Sequence, residues 1–465
     1  MAALSLAAVV ALIVFLLVRS HKNPLFLAGG AAFLGLGRST YINIVPDQTV
    51  RQVASVSMTT GDVLFAALVL GWVYARRRRP ILRTRLSSRW MVLGVCVAFF
   101  LALELALALT NATSFHPVLI ASTRDWFYIP LGFFLTLDVL RRFTAHEIAQ
   151  YVSALSLLTT SLMALYIAQA LRLPVYPYPK FLVTAFSGTT IIRDFTTFPI
   201  WTGLAWAHYL SRPKGNAWVF AALAVLATGT LLTYSRSTIV ELAAIVVLAV
   251  ILQAIHQGRR ASALVVAVAG VALLGIFLVG GPVLVPAQYG YLGVRFGKID
   301  QAGQALSDPN LQSRIKDFGR AQQPSARVDH LLGAGLFDPA TSAATQPYRI
   351  YNSYDSDWIR VVYRTGWAGV AVLAMPLVLA IIWGVGGFLS KGGSAESDTL
   401  LLTGVLVTVF SFAGTFTGLG YFWWPALSLF PVALVAYATG FPAVAAAASN
   451  PARLQRELGR LASGL

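Results

Sequence analysis

The chain has 465 residues, of which 57% are hydrophobic and only 11% are charged. Soluble domains carry about a quarter charged residues, so this composition excludes an ordinary soluble domain and indicates a polytopic membrane protein. The formal net charge is +17, and the basic residues cluster in short segments between apolar ones. Such clusters are typical of cytoplasmic loops facing anionic lipid, which argues against nucleic-acid binding. The single cysteine, Cys96, excludes a disulfide framework.

Apolar segments recur along most of the chain, and most of them approach or exceed the ~17 to 25 residues that cross a bilayer as a helix. They lie at 2–18, 24–37, 61–75, 90–110, 118–138, 149–170, 196–210, 217–234, 238–256, 262–283, 358–388, 399–419 and 424–446. The sequence therefore predicts an all-α fold, a transmembrane bundle of about 12 to 13 spans with one large extracytoplasmic loop. The first segment lacks a basic residue before its apolar run, so we expect a retained helix there.

The orientation of the bundle follows from the loops that contain arginine. Residues 76–79 are four consecutive arginines, which places that loop in the cytoplasm. Alternation from this loop puts the basic segments at 141–142, 212–214 and 259–260 on the same side. The short loop at 111–116 then lies outside and contains neither Lys nor Arg. The pattern is self-consistent and predicts a cytoplasmic C-terminus.

This alternation divides the chain into four regions. We predict an N-terminal transmembrane bundle over 1–285, an extracytoplasmic, periplasmic loop with short helices over 286–357, C-terminal transmembrane helices over 358–446 and a basic cytoplasmic tail over 447–465. The loop holds seven basic and seven acidic residues together with many apolar ones. A solvated tether would be poorer in apolar residues, so we expect the loop to fold back as a lid over the membrane helices.

Four arginines lie near the outer ends of predicted helices, namely Arg124, Arg193, Arg236 and Arg360. An ionisable side chain at membrane depth is costly unless it is paired or hydrated, so each is a functional hypothesis. One interpretation is that they reach the interface or form internal ion pairs. The other is that they collect an anion such as a lipid-linked pyrophosphate, because guanidinium groups suit phosphate oxygens. Arg236 lies in the hydroxyl-rich segment 233–238, where a helix N-terminus also favours an anion.

Three segments resemble motifs of the O-antigen polymerase and O-antigen ligase superfamily, which are integral membrane glycosyltransferases of the GT-C type. Residues 232–237 (LTYSRS) are similar to the Ser-Arg helix turn of that family. Arg314 followed by 328–335 (VDHLLGAG) is similar to its arginine upstream of a PLLGxG stretch. Residues 355–360 before 363–369 (YRTGWAG) are similar to its polar box before GxxG. The order of these segments around one large outer loop carries the resemblance.

The resemblance implies transfer of a glycan from an undecaprenyl-diphosphate-linked donor to a hydroxyl of an acceptor glycan on the extracytoplasmic face. Asp355 or Asp357 would be the base that takes the hydroxyl proton. Attack opposite the leaving diphosphate would invert the anomeric centre. We expect neither a metal ion nor another cofactor, although Asp355-Ser356-Asp357 matches the Asp-x-Asp sequence pattern of metal-binding glycosyltransferases.

The remaining site residues fall into two groups. The first group would stabilise the departing diphosphate and consists of Arg236, Arg314, Arg193 and Arg360. The second group would bind the sugars and the rest of the substrate and consists of Tyr351, Asn352, Arg349, Tyr354, Trp358 and Arg124. An interfacial aromatic belt is the alternative explanation for the tyrosines and tryptophans.

Two other functions stay open. An O-antigen ligase would pass the glycan to a lipid A-core or other acceptor, but the histidine expected near the end of the loop is replaced by Tyr351 and Asn352, and His330 lies too early. A polar-lipid flippase or transporter is the second alternative, although paired interrupted helices are not evident in the sequence. The resemblance favours a polymerase in the bacterial inner membrane, with a chain-length regulator and a flippase as partners.

Overall fold

The computed structural model describes a set of segments that covers most of the predicted helices. The described residues are 52–53, 56–57, 60–82, 86–111, 130–170, 182–186, 189–193, 198–212, 216–232, 236–257, 331–333, 357–390, 394–417 and 425–440.

Helices dominate these described segments, as expected where a membrane forces the backbone to satisfy its own hydrogen bonds. They are α1 Thr60–Arg78, α2 Ser88–Asn111, α3 Pro130–Leu140, α4 Ala145–Ala170, α5 Phe198–Ser211, α6 Ala217–Leu232, α7 Arg236–Gln257, α8 Asp357–Leu389, α9 Ala395–Thr417 and α10 Pro425–Gly440.

Four stretches of helix within the described residues are long and apolar enough to cross a membrane. They are Ser88–Ala106, Ala145–Ala168, Thr365–Leu389 and Ala395–Gly414. The prediction of a helical fold is therefore confirmed for the described residues, and these four stretches agree with the prediction of a membrane protein. The predicted segments 2–18, 24–37 and 262–283 lie outside the described residues, as do the tail and nearly all of the large loop. The total of about 12 to 13 spans thus stays a prediction.

Two short antiparallel hairpins depart from a strictly all-α fold. The strand pairs are β1 Gln52–Val53 with β2 Val56–Ser57, and β3 Leu182–Phe186 with β4 Thr189–Arg193. In the longer hairpin Leu182 lies opposite Arg193. Its strands are rich in Val, Thr and Ile, which favour extended backbone. Only Ser187 and Gly188 separate them, a spacing typical of a two-residue hairpin.

Helix α9 occupies the centre of the described bundle and contacts α4, α5, α7, α8 and α10. The hydroxyls of Thr399, Thr403 and Thr408 each donate to the carbonyl four residues earlier at 2.7 Å, so these groups are satisfied within their own helix. A Cβ on Gly203 of α5 would lie 2.6 Å from the Phe410 ring of α9. The missing side chain therefore lets the two helices approach closely, as small residues do in membranes.

The helix ends that the orientation argument assigns to the cytoplasm lie together at one end of the bundle, here called the basic end. The backbone N–H of Leu82 donates to Arg141 O at 3.2 Å, which joins the segment after α1 to the segment after α3. The N–H of Ser87 donates to Gly440 O at 2.9 Å, which joins the start of α2 to the end of α10. This grouping is what the predicted alternation requires.

A cluster of side chains at the basic end, here called the Asp138 network, ties α1 to α3. Asp138 accepts hydrogen bonds from Trp72 Nε1 at 2.7 Å and Arg142 Nη2 at 3.3 Å, and it pairs with Arg141. Arg142 is buried, and its Nη1 donates to Arg79 O at 2.8 Å. A buried charge is tolerated where it is paired and hydrogen-bonded. Asp138 gives the buried Arg142 both an ion pair and a hydrogen bond.

Helix α4 begins beside this network with a capping box. Thr144 N donates to Glu147 Oε2 at 3.0 Å, and Glu147 N donates in return to Thr144 Oγ1 at 3.2 Å. The other carboxylate oxygen of Glu147 pairs with Arg79 Nη1 at 2.6 Å. The cap therefore fixes the start of α4 and attaches it to the end of α1.

Candidate functional site

Helix α8 is broken at the end of its first third. Gly366 has φ 60° and ψ −163°, values outside the helical region, between two helical halves. A positive φ is accessible to glycine because it lacks a Cβ. The break divides α8 into a first part over 357–365 and a second part over 367–389.

A short piece of the large loop, Leu331–Gly333, docks into this break. The backbone N–H of Ala368 donates to Leu331 O at 3.1 Å. A Cβ on Gly366 would lie 2.2 Å from Leu331 O and 2.7 Å from Gly333 N, so only glycine leaves room for the contact. Gly333 also has a positive φ, 71°. Two glycines therefore allow one backbone to approach another closely.

The break lies at the outer edge of the membrane-spanning part of α8. That part runs from Thr365 to Leu389, which is 25 residues. At 1.5 Å per residue it is about 37 Å long, enough to cross a hydrocarbon core of ~30 Å by itself. The residues before Thr365 therefore extend beyond the core, at the end of α8 opposite the basic end. The docked loop segment lies at the predicted extracytoplasmic face.

The first part of α8 is anchored by aromatic and hydroxyl groups. Trp358 is buried, and its ring meets Phe412 of α9 edge-on with the ring centroids 6.2 Å apart. The hydroxyl of Thr365 donates to Val361 O at 2.9 Å inside the helix. The Trp358 contact holds the start of α8 against the central helix α9, and the Thr365 bond lies within α8 just before the break.

A buried carboxylate lies in α2, where the sequence analysis did not place a functional residue. Glu104 is fully buried, and neither carboxylate oxygen has a hydrogen-bond partner among the described residues. Buried polar groups in proteins are nearly always hydrogen-bonded. A signal was present in the sequence, because Glu104 is the only charged residue within the apolar segment 90–110.

Two contacts between α2 and α8 fix the depth of Glu104. The ring centroids of Trp90 and Trp383 are 4.8 Å apart, and a Cβ on Gly369 would lie 3.5 Å from Phe100 Cζ. The two helices therefore run in opposite directions. Glu104 lies one turn beyond Phe100 on the same face, about 6 Å further along the axis. Because the helices are antiparallel, moving one turn forward along α2 from Phe100 matches moving one turn back along α8 from Gly369. Glu104 therefore lies at the level of the break at Gly366.

Five of the residues proposed for the site from the sequence have described backbone positions, and Trp358 is one of them. Arg236 begins α7, Asp357 begins α8, and Arg360 follows in the first turn of α8. Arg193 ends β4, the strand that contacts α4. Helices α7 and α8 contact each other, so Arg236 and Asp357 begin neighbouring helices at the same end of the bundle.

The other proposed site residues, apart from buried Trp358, lie outside the described residues. They are Asp355, Arg314, Arg124, Arg349, Tyr351, Asn352 and Tyr354. Their roles stay predictions.

No protein-family model matches this chain, and no curated protein matches it significantly. Its function is therefore proposed from its own residues and contacts.

Proposed function

We propose that this chain is an integral membrane glycosyltransferase that extends a polysaccharide. It takes a glycan from an undecaprenyl-diphosphate-linked donor and transfers it to a hydroxyl of an acceptor glycan at the extracytoplasmic face. The proposal includes membership of the O-antigen polymerase and ligase superfamily, location in a bacterial inner membrane, and cooperation with a flippase and a chain-length regulator.

The contact between Leu331–Gly333 and Gly366–Ala368 is the observation that carries this proposal. The first segment belongs to the LLGAG stretch and the second to the TGWAG stretch, two of the three motifs behind the resemblance. They are over thirty residues apart in the chain, yet Leu331 O and Ala368 N are hydrogen-bonded at 3.1 Å. The backbone contact needs glycine at position 366 and close backbone approach at 331–333. This gives a physical reason for the glycines in both motifs.

The third motif supports the proposal through Arg236. This residue begins α7, and α7 contacts both α8 and the central helix α9. An arginine at a helix N-terminus combines a bidentate cation with free backbone N–H groups, and both favour phosphate oxygens. In the proposed enzyme Arg236, with Arg314, Arg193 and Arg360, binds the diphosphate of the donor.

The proposed reaction is a displacement at the anomeric carbon. The acceptor hydroxyl oxygen attacks that carbon, the bond to the diphosphate oxygen breaks, and undecaprenyl diphosphate leaves as an anion. The hydroxyl proton passes to a carboxylate, Asp355 or Asp357, which acts as general base. Arginines stabilise the negative charge that grows on the diphosphate.

A deletion strain tests the function as a whole. Loss of the polymerase should cause single lipid-linked repeat units to accumulate on the outer leaflet of the membrane. Accumulation on the inner leaflet would indicate a flippase instead. Polymer that stays linked to undecaprenyl diphosphate and is not joined to its lipid A-core would indicate a ligase. Mass spectrometry of leaflet-resolved lipid extracts distinguishes the three results.

Replacing Arg236 or Arg314 with Lys should lower polymer synthesis by about tenfold or more, because Lys keeps the charge but loses the bidentate fork. The measurement is polymer length and yield in membranes that contain equal amounts of each variant. Arg77→Lys is the matched control, since Arg77 is exposed at the basic end of the bundle. Normal polymer from both Lys variants would remove the arginines from the diphosphate site.

Replacing the catalytic aspartate with Asn should lower turnover by about a hundredfold or more, the range that a general base contributes. Asp357 begins α8, whereas Asp355 lies outside the described residues, and we expect only one of the two to face the substrate. The other caps α8, and its loss should reduce thermal stability. Binding of undecaprenyl diphosphate should be unchanged in both variants, because the arginines hold it.

If both Asn variants make polymer at the normal rate in a reconstituted assay, the base lies elsewhere. His330 would then be the next residue to replace.

A further inference from the structure

The proposed function leaves the acceptor glycan without a binding site, and Glu104 is a described group that fits one. Its carboxylate is fully buried and has no hydrogen-bond partner within the described part of the chain. A carboxylate has two oxygens that only accept hydrogen bonds when it is ionised. The Glu104 carboxylate therefore needs a hydrogen-bond donor, and a bound ligand can supply one.

Glu104 continues a buried stripe on α2 that faces α8. Trp90, Leu93, Val97 and Phe100 precede it on this stripe at helical spacing and are all buried. The apolar members pack against α8 through the contacts at Trp383 and Gly369. A carboxylate in the next position of such a stripe points toward the same partner helix.

The partner helix has lost its regular hydrogen bonding at that level. In a continuous helix the N–H of Ala368 would donate to the carbonyl of Arg364, four residues earlier. Here it donates to Leu331 O of the docked loop segment at 3.1 Å. Non-helical backbone at membrane depth is tolerated where it is covered by protein or lines a polar cavity. The break and the carboxylate therefore lie together at the outer edge of the membrane.

We propose that Glu104 and the backbone break at Gly366 form the acceptor subsite, where the Glu104 carboxylate accepts a hydrogen bond from a sugar hydroxyl. This inference rests on the proposed function, because it assigns a second substrate to the same site. The chemical class of the ligand follows from the negative charge of the Glu104 carboxylate. A carboxylate repels the anionic diphosphate of the donor but accepts hydrogen bonds from a neutral, polyhydroxylated chain.

The position of the docked segment agrees with this assignment. Leu331–Gly333 covers the break from the large loop, so the subsite lies between the membrane helices and the loop. Of the arginines proposed to bind the diphosphate, Arg236 begins α7 and Arg193 ends β4, whereas Arg360 lies in the first turn of α8, before the break. Donor and acceptor thus have separate binding groups.

Chemical labelling of the wild-type protein tests the subsite without relying on turnover. The full chain in lipid nanodiscs is treated with dicyclohexylcarbodiimide, and modification of Glu104 is followed by mass spectrometry. The probe is the oligosaccharide released by mild acid from the lipid-linked donor. We expect this oligosaccharide to slow labelling of Glu104 by about fivefold or more, which is about 1 kcal/mol of protection. Glu241, the other buried carboxylate described, is the control and should label at an unchanged rate.

Undecaprenyl diphosphate without a glycan should leave labelling of Glu104 unchanged, because it carries no sugar hydroxyl. Labelling that the oligosaccharide does not slow would overturn the inference. Absence of any labelling in the free protein would also overturn it, since an acceptor subsite must admit a solute.

Kinetics of Glu104→Gln provide the second measurement. This variant keeps the volume of the side chain, and we expect the KM for the acceptor to rise by about tenfold while the Kd for undecaprenyl diphosphate stays the same. An unchanged KM combined with a lower melting temperature would show a purely structural role. A wild-type protein that transfers no glycan would overturn the proposed function alone. Protection of Glu104 by the oligosaccharide would still identify a glycan-binding site in that case.

Discussion

Gly366→Ala should reduce the proposed polymer synthesis by about a hundredfold while the protein still inserts into the membrane. A Cβ at this position would lie 2.2 Å from Leu331 O, and the backbone has a φ of 60°. The overpacking and the left-handed backbone together cost about 3 kcal/mol for a residue other than glycine. This corresponds to about a hundredfold fewer molecules with Leu331–Gly333 docked.

The matched control for this substitution lies in the same helix. A Cβ on Gly386 meets nothing within 4 Å, so Gly386→Ala should leave both stability and polymer synthesis unchanged. Limited proteolysis of the loop measures docking directly, and the Gly366 variant should be cleaved near Leu331 faster than wild type. Normal synthesis by Gly366→Ala together with faster cleavage would show that docking is not needed for transfer.

Asp138→Ala should lower the free energy of unfolding by about 3 kcal/mol. The carboxylate accepts hydrogen bonds from Trp72 and Arg142 at 2.7 and 3.3 Å, and Arg142 is buried. Removing one partner of a buried ion pair leaves an uncompensated charge and costs ~3 to 5 kcal/mol. Thermal unfolding of the purified protein in detergent, followed by circular dichroism, measures the loss.

An exposed ion pair at the same end of the bundle provides the comparison. His146 Nδ1 and Glu396 Oε1 are 2.9 Å apart, but both side chains are at least half exposed. Surface pairs contribute ~0 to 1 kcal/mol, so Glu396→Ala should change the melting temperature little. Equal shifts for Glu396→Ala and Asp138→Ala would show that the Asp138 network contributes no more than a surface pair.

Within the described residues, the positions of the helices could be predicted from the sequence with little error. Segment 358–388 corresponds to α8, and segment 399–419 corresponds to α9, with bounds that differ by a few residues. Length and apolarity suffice for this prediction because a bilayer admits few other structures. The grouping of the basic helix ends also follows from arginine positions alone, since Lys and Arg control loop orientation.

The site was harder to predict because its geometry depends on contacts that are distant in the chain. The segment 363–369 contains two glycines, and nothing local indicates that Gly366 adopts a positive φ while Gly369 stays helical. The difference arises from Leu331, which occupies the space beside Gly366. Glu104 was visible as a lone carboxylate, but its depth became clear only from the packing of Phe100 on α8.

The hairpin over 182–193 was missed for another reason. It falls between the predicted apolar segments 149–170 and 196–210, in a part of the chain for which the sequence predicted no element. Strand pairing within a loop is weakly encoded by composition, and β-propensity depends strongly on context.

The junction between α2 and α10 has a consequence for biosynthesis. Arg89 Nη2 donates to Thr439 O at 3.0 Å and Trp90 Nε1 donates to Thr439 Oγ1 at 3.2 Å, across 349 positions of sequence in the second case. A ribosome that adds ~5 to 20 residues per second needs roughly 17 to 70 s to cover that interval. During this time the start of α2 has been inserted, but its acceptors have not been synthesised. The early helices are therefore an incomplete intermediate in the translocon, and a prematurely terminated chain would carry unpaired donors that membrane quality control can recognise.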